Sequence, residues 1–157
     1  MKILVTYYSR SKNTEKVAKE IQKNLESDIE EIIDIKNRSG TLGWIKSLID
    51  AIRRNSGEIK PIEKNIADYD LVIVGTPVWA SSTSSATLTY LKENKEKFKN
   101  LSFFCTCGSS GYEETFEQME ELSGKKAVET LYITKKDMNY SFESKIESFS
   151  KKIKNIS

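Results

Sequence analysis

The chain alternates short apolar runs with longer amphipathic stretches. Ile3, Leu4, Val5, Tyr7 and Tyr8 form a brief apolar run that gives way to a Ser/Asn-rich turn, the pattern of a buried strand. Val17, Ala18, Ile21 and Leu25 then recur at helical spacing. Asn13 or Thr14 is the expected cap of that helix, and Glu15 stands in the first turn, where the dipole favours an acid. Ile29, Ile32, Ile33 and Ile35 predict a second strand, ended by the turn from Asn37 to Gly40. Leu42, Ile45, Leu48, Ile49 and Ile52 give one apolar face to a second helix over 42–54, which Trp44 and Ala51 widen, before Gly57 and Pro61 break the pattern.

Leu71, Val72, Ile73 and Val74 are apolar without alternation, so this strand needs cover on both faces. Polar residues around Ser81 to Ser85 lead into a helix over about 83–92. Leu101, Phe103, Phe104 and Cys105 predict another strand that ends at Gly108, followed by a helix over 113–122 and a strand over 127–133. The last helix is expected from near Ser141, with Phe142, Ile146 and Phe149 inward. Five strands alternating with about five helices predict a doubly wound α/β sandwich on a mostly parallel sheet. Ligands in such sheets bind beyond the carboxyl ends of the strands, where the strand order reverses. Three loops are expected there: residues 9–14, 76–82 and 106–112.

Composition narrows the class. A length of 157 residues suits one core, so a single domain over 1–157 is expected. The first apolar run is too short for a signal peptide, and no stretch reaches the length needed to span a bilayer; with only two cysteines, a cytoplasmic protein off the membrane is expected. A net charge of +2 gives no electrostatic case for nucleic acid as a partner. Glu113, Glu114, Glu117, Glu120 and Glu121 nevertheless cluster, and Lys151, Lys152 and Lys154 cluster elsewhere. Both read as solvated helix faces, with docking of a basic redox partner as the functional alternative for the acidic one. The chain has no histidine, which excludes a Ser-His-Asp mechanism and leaves a zinc site only cysteines and carboxylates.

The first loop is rich in donors: hydroxyls of Ser9, Ser11 and Thr14, the amide of Asn13, and the free N–H groups of a helix start. A phosphate monoester suits that set, although a polar turn with a helix cap would look similar. There is neither a Gly-x-x-x-x-Gly-Lys-Ser/Thr loop nor a Gly-x-Gly-x-x-Gly after the first strand, so a terminal phosphate fits better than a pyrophosphate. In the second loop, Thr76-Pro77-Val78-Trp79-Ala80, the indole either stacks on a planar ligand or closes the core. The third, Thr106-Cys107-Gly108-Ser109-Ser110-Gly111-Tyr112, has glycines at which backbone can approach a ligand. Cys105 reads as core and Cys107 as a residue near the ligand; together they offer too few ligands for a metal.

These loops resemble those of the flavodoxin-like FMN proteins. Tyr8-Ser9-Arg10-Ser11-Lys12-Asn13-Thr14 is similar to the family's phosphate loop in its Tyr-Ser-x-Ser-Gly-Asn-Thr variant, Gly75 to Ala80 to the first isoalloxazine loop, and Cys107 to Gly111 to the second. The resemblance covers nearly the whole chain. It implies a five-stranded parallel sheet in the order 2-1-3-4-5 and FMN as cofactor, with its phosphate at Ser9, Arg10, Ser11, Lys12, Asn13 and Thr14. The flavin would lie against Thr76, Pro77, Val78, Trp79 and Ala80 on one side and Thr106, Cys107, Gly108, Ser109, Gly111 and the candidate Tyr112 on the other. Lys12 departs from the pattern where glycine is usual, and the near-neutral charge departs from acidic electron carriers. The implied activity is electron transfer between redox partner proteins; the alternative is an NAD(P)H-dependent reductase of FMN, quinones or other small acceptors. A monomer or homodimer is expected.

Overall fold

The computed structural model describes residues 1–35 and 57–156. The helix expected over 42–54 lies outside them. Strand β1 (Ile3–Tyr7) pairs in parallel with β2 (Asp28–Glu31) on one side and β3 (Leu71–Pro77) on the other. Strand β4 (Leu101–Cys107) follows β3, and β5 (Ala127–Thr134) closes the far edge, giving the order β2-β1-β3-β4-β5 with every pairing parallel. The order reverses between β1 and β3, as the expected topology requires.

Four helical segments cover the described sheet: α1 (Asn13–Leu25), α2 (Ser85–Asn94), α3 (Tyr112–Ser123) and α5 (Phe142–Lys154), with a single turn, α4 (Asp137–Tyr140), between β5 and α5. Alternating residues of the central strands supply two cores. Val5, Ile73, Phe104 and Ile133 meet Val17 and Ile21 of α1 and Ile146 and Phe149 of α5. Leu4, Val72, Val74 and Phe103 meet Ala86 and Tyr90 of α2 and Met119 of α3. The apolar run of β3 is thereby buried from Leu71 to Thr76, while β2 and the first half of β5 are edge segments with exposed positions.

Two local expectations change. The second strand stops at Glu31, because the chain turns away from β1 after Ile32. Ile35 N–H donates to Glu58 carbonyl at 2.9 Å and Lys60 N–H to Ile33 carbonyl at 2.8 Å, so residues 33–35 pair antiparallel with 58–60 and leave Ile33 and Ile35 exposed. Neither Asn13 nor Thr14 caps α1. Lys12 holds the capping position with φ 68°, makes no side-chain cap, and leaves Asn13 as the first helical residue. Helix α2 has the ordinary cap: Ser84 Oγ accepts from Thr87 N–H at 3.2 Å.

Candidate functional site

Parallel strands joined by crossover helices bring the carboxyl ends of β1, β3, β4 and β5 to one rim. A cleft of about 490 Å³ opens there, and its walls come from four loops. Ser11 and Asn13 stand at one end, Pro77 and Val78 follow β3, and Thr106, Cys107 and Gly108 follow β4. The fourth wall, made by Ile133, Thr134, Lys135, Met138 and Asn139 beyond β5, has no counterpart in the sequence reading. Its sequence has no motif; the rule that all strand ends share the ligand crevice was the one available signal.

The start of α1 leaves polar groups without partners. Lys16 N–H is the first to find an intrahelical acceptor, the Lys12 carbonyl at 3.0 Å, and no side chain caps the N–H groups before it. Ser9 Oγ is buried and has no hydrogen-bond partner. An orphaned hydroxyl beside an uncapped helix start is the arrangement a phosphate monoester would satisfy. Thr14 serves otherwise: its hydroxyl is 2.8 Å from that of Thr106, a buried bond that ties the first loop to the third. Lys12 turns its ammonium to Glu15 at 3.2 Å with its side chain 84% exposed, and Arg10 is half-buried.

In the second loop Thr76 is fully buried. Its Oγ1 accepts from Thr83 Oγ1 at 3.1 Å and Ser84 N–H at 3.0 Å, so it fixes the start of α2 and does not face the cleft. Residues 79–82 form a two-residue hairpin, with Trp79 N–H donating to Ser82 carbonyl at 2.9 Å and Ser82 N–H returning to Trp79 carbonyl at 3.0 Å. Its central residues, Ala80 and Ser81, have φ of 50° and 55°, a pair of left-handed positions usually held by Asn and Gly. Gln118 of α3 grips the turn from behind, its Oε1 accepting from Ser82 Oγ and Thr83 N–H, both at 2.8 Å. Trp79 stands edge-on to Tyr8, ring centres 5.8 Å apart, half-buried against the core and outside the cleft lining.

In the third loop a Cβ added to Gly108 would meet nothing within 4 Å, so this backbone faces open space. Gly111, at φ 86°, abuts the second loop: a Cβ there would come within 2.9 Å of Ser81 Oγ and 3.1 Å of Val78 Cγ1. Ser109 is exposed. Tyr112 stacks flat on Tyr132 of β5, centres 3.9 Å apart and planes 6° from parallel, and Lys145 Nζ lies 3.9 Å from the Tyr132 ring centre. The fourth wall hangs on Asp137, whose carboxylate accepts from Thr134 N–H at 2.8 Å, Thr134 Oγ1 at 2.7 Å, Ser141 Oγ at 2.8 Å and Lys145 Nζ at 2.9 Å. Burial alone would raise its pKa, but the bonds from Lys145, Thr134 and Ser141 prevail and hold it well below the usual carboxylate range.

Seven of the expected contacts thus line one cleft: Ser11, Asn13, Pro77, Val78, Thr106, Cys107 and Gly108. Ser9, with its buried unpartnered hydroxyl, is not among the lining residues, while Lys12, Thr76, Ala80 and Gly111 shape the loops and Tyr112 packs on β5.

Comparison with known proteins agrees with this architecture. The family model described as Flavodoxin matches residues 2–152. A flavoprotein of Lactobacillus acidophilus, solved in complex with FMN, is 22% identical, with TM-score 0.72 over 95% of this chain and 98% of that one. A flavoprotein of Bacteroides uniformis is 19% identical, with TM-score 0.79 over 96% and 97% of the two chains. Oxidised flavodoxin 1 of Bacillus cereus is also 19% identical, with TM-score 0.60 over 100% of both. Among curated protein sequences none matches.

Proposed function

The chain belongs to the flavodoxin family, and from that premise we propose that it binds FMN in this cleft and passes electrons between redox partner proteins. The observation that carries the reading is the orphaned Ser9 hydroxyl just before the uncapped start of α1, whose Ser11 and Asn13 line a cleft walled by the loops after four strands. Bound FMN supplies a ring that accepts a hydride or passes single electrons. Ser9 and Ser11 would donate hydroxyls to the phosphate, and Asn13 its amide and N–H. Pro77 and Val78 on one side and Cys107 and Gly108 on the other would hold the ring and exclude water.

Electron transfer between proteins is favoured by the surface beside the cleft. Helix α3 begins directly after the third loop, and Glu113, Glu114 and Glu117 are exposed along it. A basic partner would be steered to the rim where the cofactor sits. One observation favours an NAD(P)H-dependent reductase instead: Lys135 joins the cleft wall of a chain whose net charge is only +2, a setting that receives an anionic nucleotide readily.

Titration with FMN and riboflavin tests the site. Ser9→Ala and Asn13→Ala should each weaken FMN about tenfold or more, on the scale of a lost charge-assisted bond, and leave riboflavin nearly unchanged. A folded protein that takes up no FMN would end the proposal. Anaerobic mixing of loaded protein with NADH or NADPH separates the two activities: bleaching within seconds identifies a reductase, and its absence a carrier reduced by a protein.

A further inference from the structure

Among the described residues that line the cleft, Lys135 alone is charged. It directly follows β5, and its backbone is anchored: its N–H donates to the Cys107 carbonyl at 3.0 Å and to the Gly108 carbonyl at 3.3 Å. The fourth wall is thereby tied to the third loop, and the lysine side chain starts from a fixed point on the cleft. No acid claims its ammonium. Lys135 Nζ has neither an ion pair nor a hydrogen bond among the described residues. Asp137, the carboxylate on the same wall, gives its oxygens to Thr134, Ser141 and Lys145 instead. Because Lys145 balances Asp137, the positive charge of Lys135 is left uncompensated on this wall. Strand order sets β5 three positions from β1, about 14 Å at the usual spacing, so the Lys135 backbone stands well away from Ser11 and Asn13.

We propose that Lys135 is the redox-tuning residue of this cleft: its ammonium favours the reduced cofactor over the oxidised one and raises the two-electron potential. The inference rests on the FMN reading above, which seats the phosphate at the start of α1 and leaves the ring to the β3, β4 and β5 side. Two electrons and one proton entering the flavin ring make it one unit more negative than the oxidised form. A cation on the cleft wall therefore stabilises the reduced form more than the oxidised one, whatever it contributes to binding of both. A lysine acts here as a point charge on a flexible stem, so the effect needs its charge and not one exact hydrogen-bond geometry.

The test is an anaerobic redox titration of FMN-loaded protein against a dye of known potential, with binding of oxidised FMN and riboflavin measured beside it. Lys135→Gln should bind both oxidised ligands within about twofold of the wild type. Its preference for reduced over oxidised FMN should fall about three- to tenfold, which lowers the two-electron potential by about 15 to 30 mV. Lys135→Arg should restore the wild-type potential, because it keeps the charge. Lys136→Gln removes the same charge from an exposed neighbour outside the cleft lining, and should change the preference less than about twofold. An unchanged potential in Lys135→Gln, or an equal fall in Lys136→Gln, would overturn the proposal. So would a Lys135→Gln protein that loses FMN about tenfold and keeps riboflavin, since the ammonium would then serve the phosphate. Wild-type protein that takes up no FMN removes the cofactor reading, and this one with it, before any potential is read.

Discussion

Lys12 holds φ at 68°, a conformation that costs a non-glycine residue about 1 kcal/mol. Its ammonium is engaged by Glu15. Replacing it by glycine relieves the backbone and loses only an exposed ion pair. Lys12→Gly should therefore raise stability by about 0.5–1 kcal/mol, less than the full strain because glycine is freer when unfolded; urea denaturation measures it. The opposite holds at Gly75 of β3. A Cβ there would lie 2.0 Å from Cζ of Phe104, a fully buried ring. Gly75→Ala should cost about 3 kcal/mol by forcing that ring out of its place between the sheet and α1 and α5. A melting temperature unchanged by Gly75→Ala would contradict the packing. The left-handed demand at Lys12 was legible from the loop's likeness to a glycine-containing pattern. The role of Thr14 was not, because its partner, Thr106, is 92 positions away and no local rule announces such a bond.

At the level of elements the apolar runs of β1, β3 and β4 announced themselves, since a central parallel strand is apolar without interruption. Edges were harder. Ile33 and Ile35 carried the pattern of β2 past its end because a short antiparallel pairing with residues 58–60 competes for the same backbone groups. The β5–α4 wall escaped for a related reason: its order comes from one carboxylate and not from a motif. Asp137 gathers bonds from Thr134, Ser141 and Lys145, and its pKa lies below that of an unfolded aspartate near 3.9. A depressed carboxylate stabilises fully above the unfolded value, and the gain is lost as pH falls through the folded one. Wild type should therefore exceed Asp137→Asn by a constant margin from pH 7 to about 5, and the margin should shrink below about pH 4. Urea midpoints across that range decide the matter; a margin that is flat into strong acid would mean the carboxylate charge contributes nothing. The same variant loosens Thr134 and should weaken FMN and riboflavin alike, unlike substitutions at Ser9 or Asn13.

On the scale of the whole molecule, charge is arranged along the axis that the parallel sheet defines. Among the described residues, α1, α2, α3 and α5 start on the cleft side of the sheet and run towards the opposite pole, so Glu113 and Glu114 at the start of α3 lie near the cleft while Lys151, Lys152 and Lys154 close α5 at the far end. The rim itself is divided, with exposed Lys12, Lys135 and Lys136 on the side of α1 and α4 and the acidic face on the side of α3. A basic partner would meet attraction on one flank and repulsion on the other, which orients it as well as recruiting it. Reversing Glu113, Glu114 and Glu117 together to lysine should slow electron transfer to a basic haem protein about tenfold at low salt. The difference should vanish near 1 M salt, where the screening length falls to about 3 Å. Stopped-flow oxidation of the reduced FMN-loaded protein across a salt series reads both effects. Equal rates for the two proteins at low salt would remove α3 as the docking face and shift the balance towards a reductase whose acceptor is a small molecule.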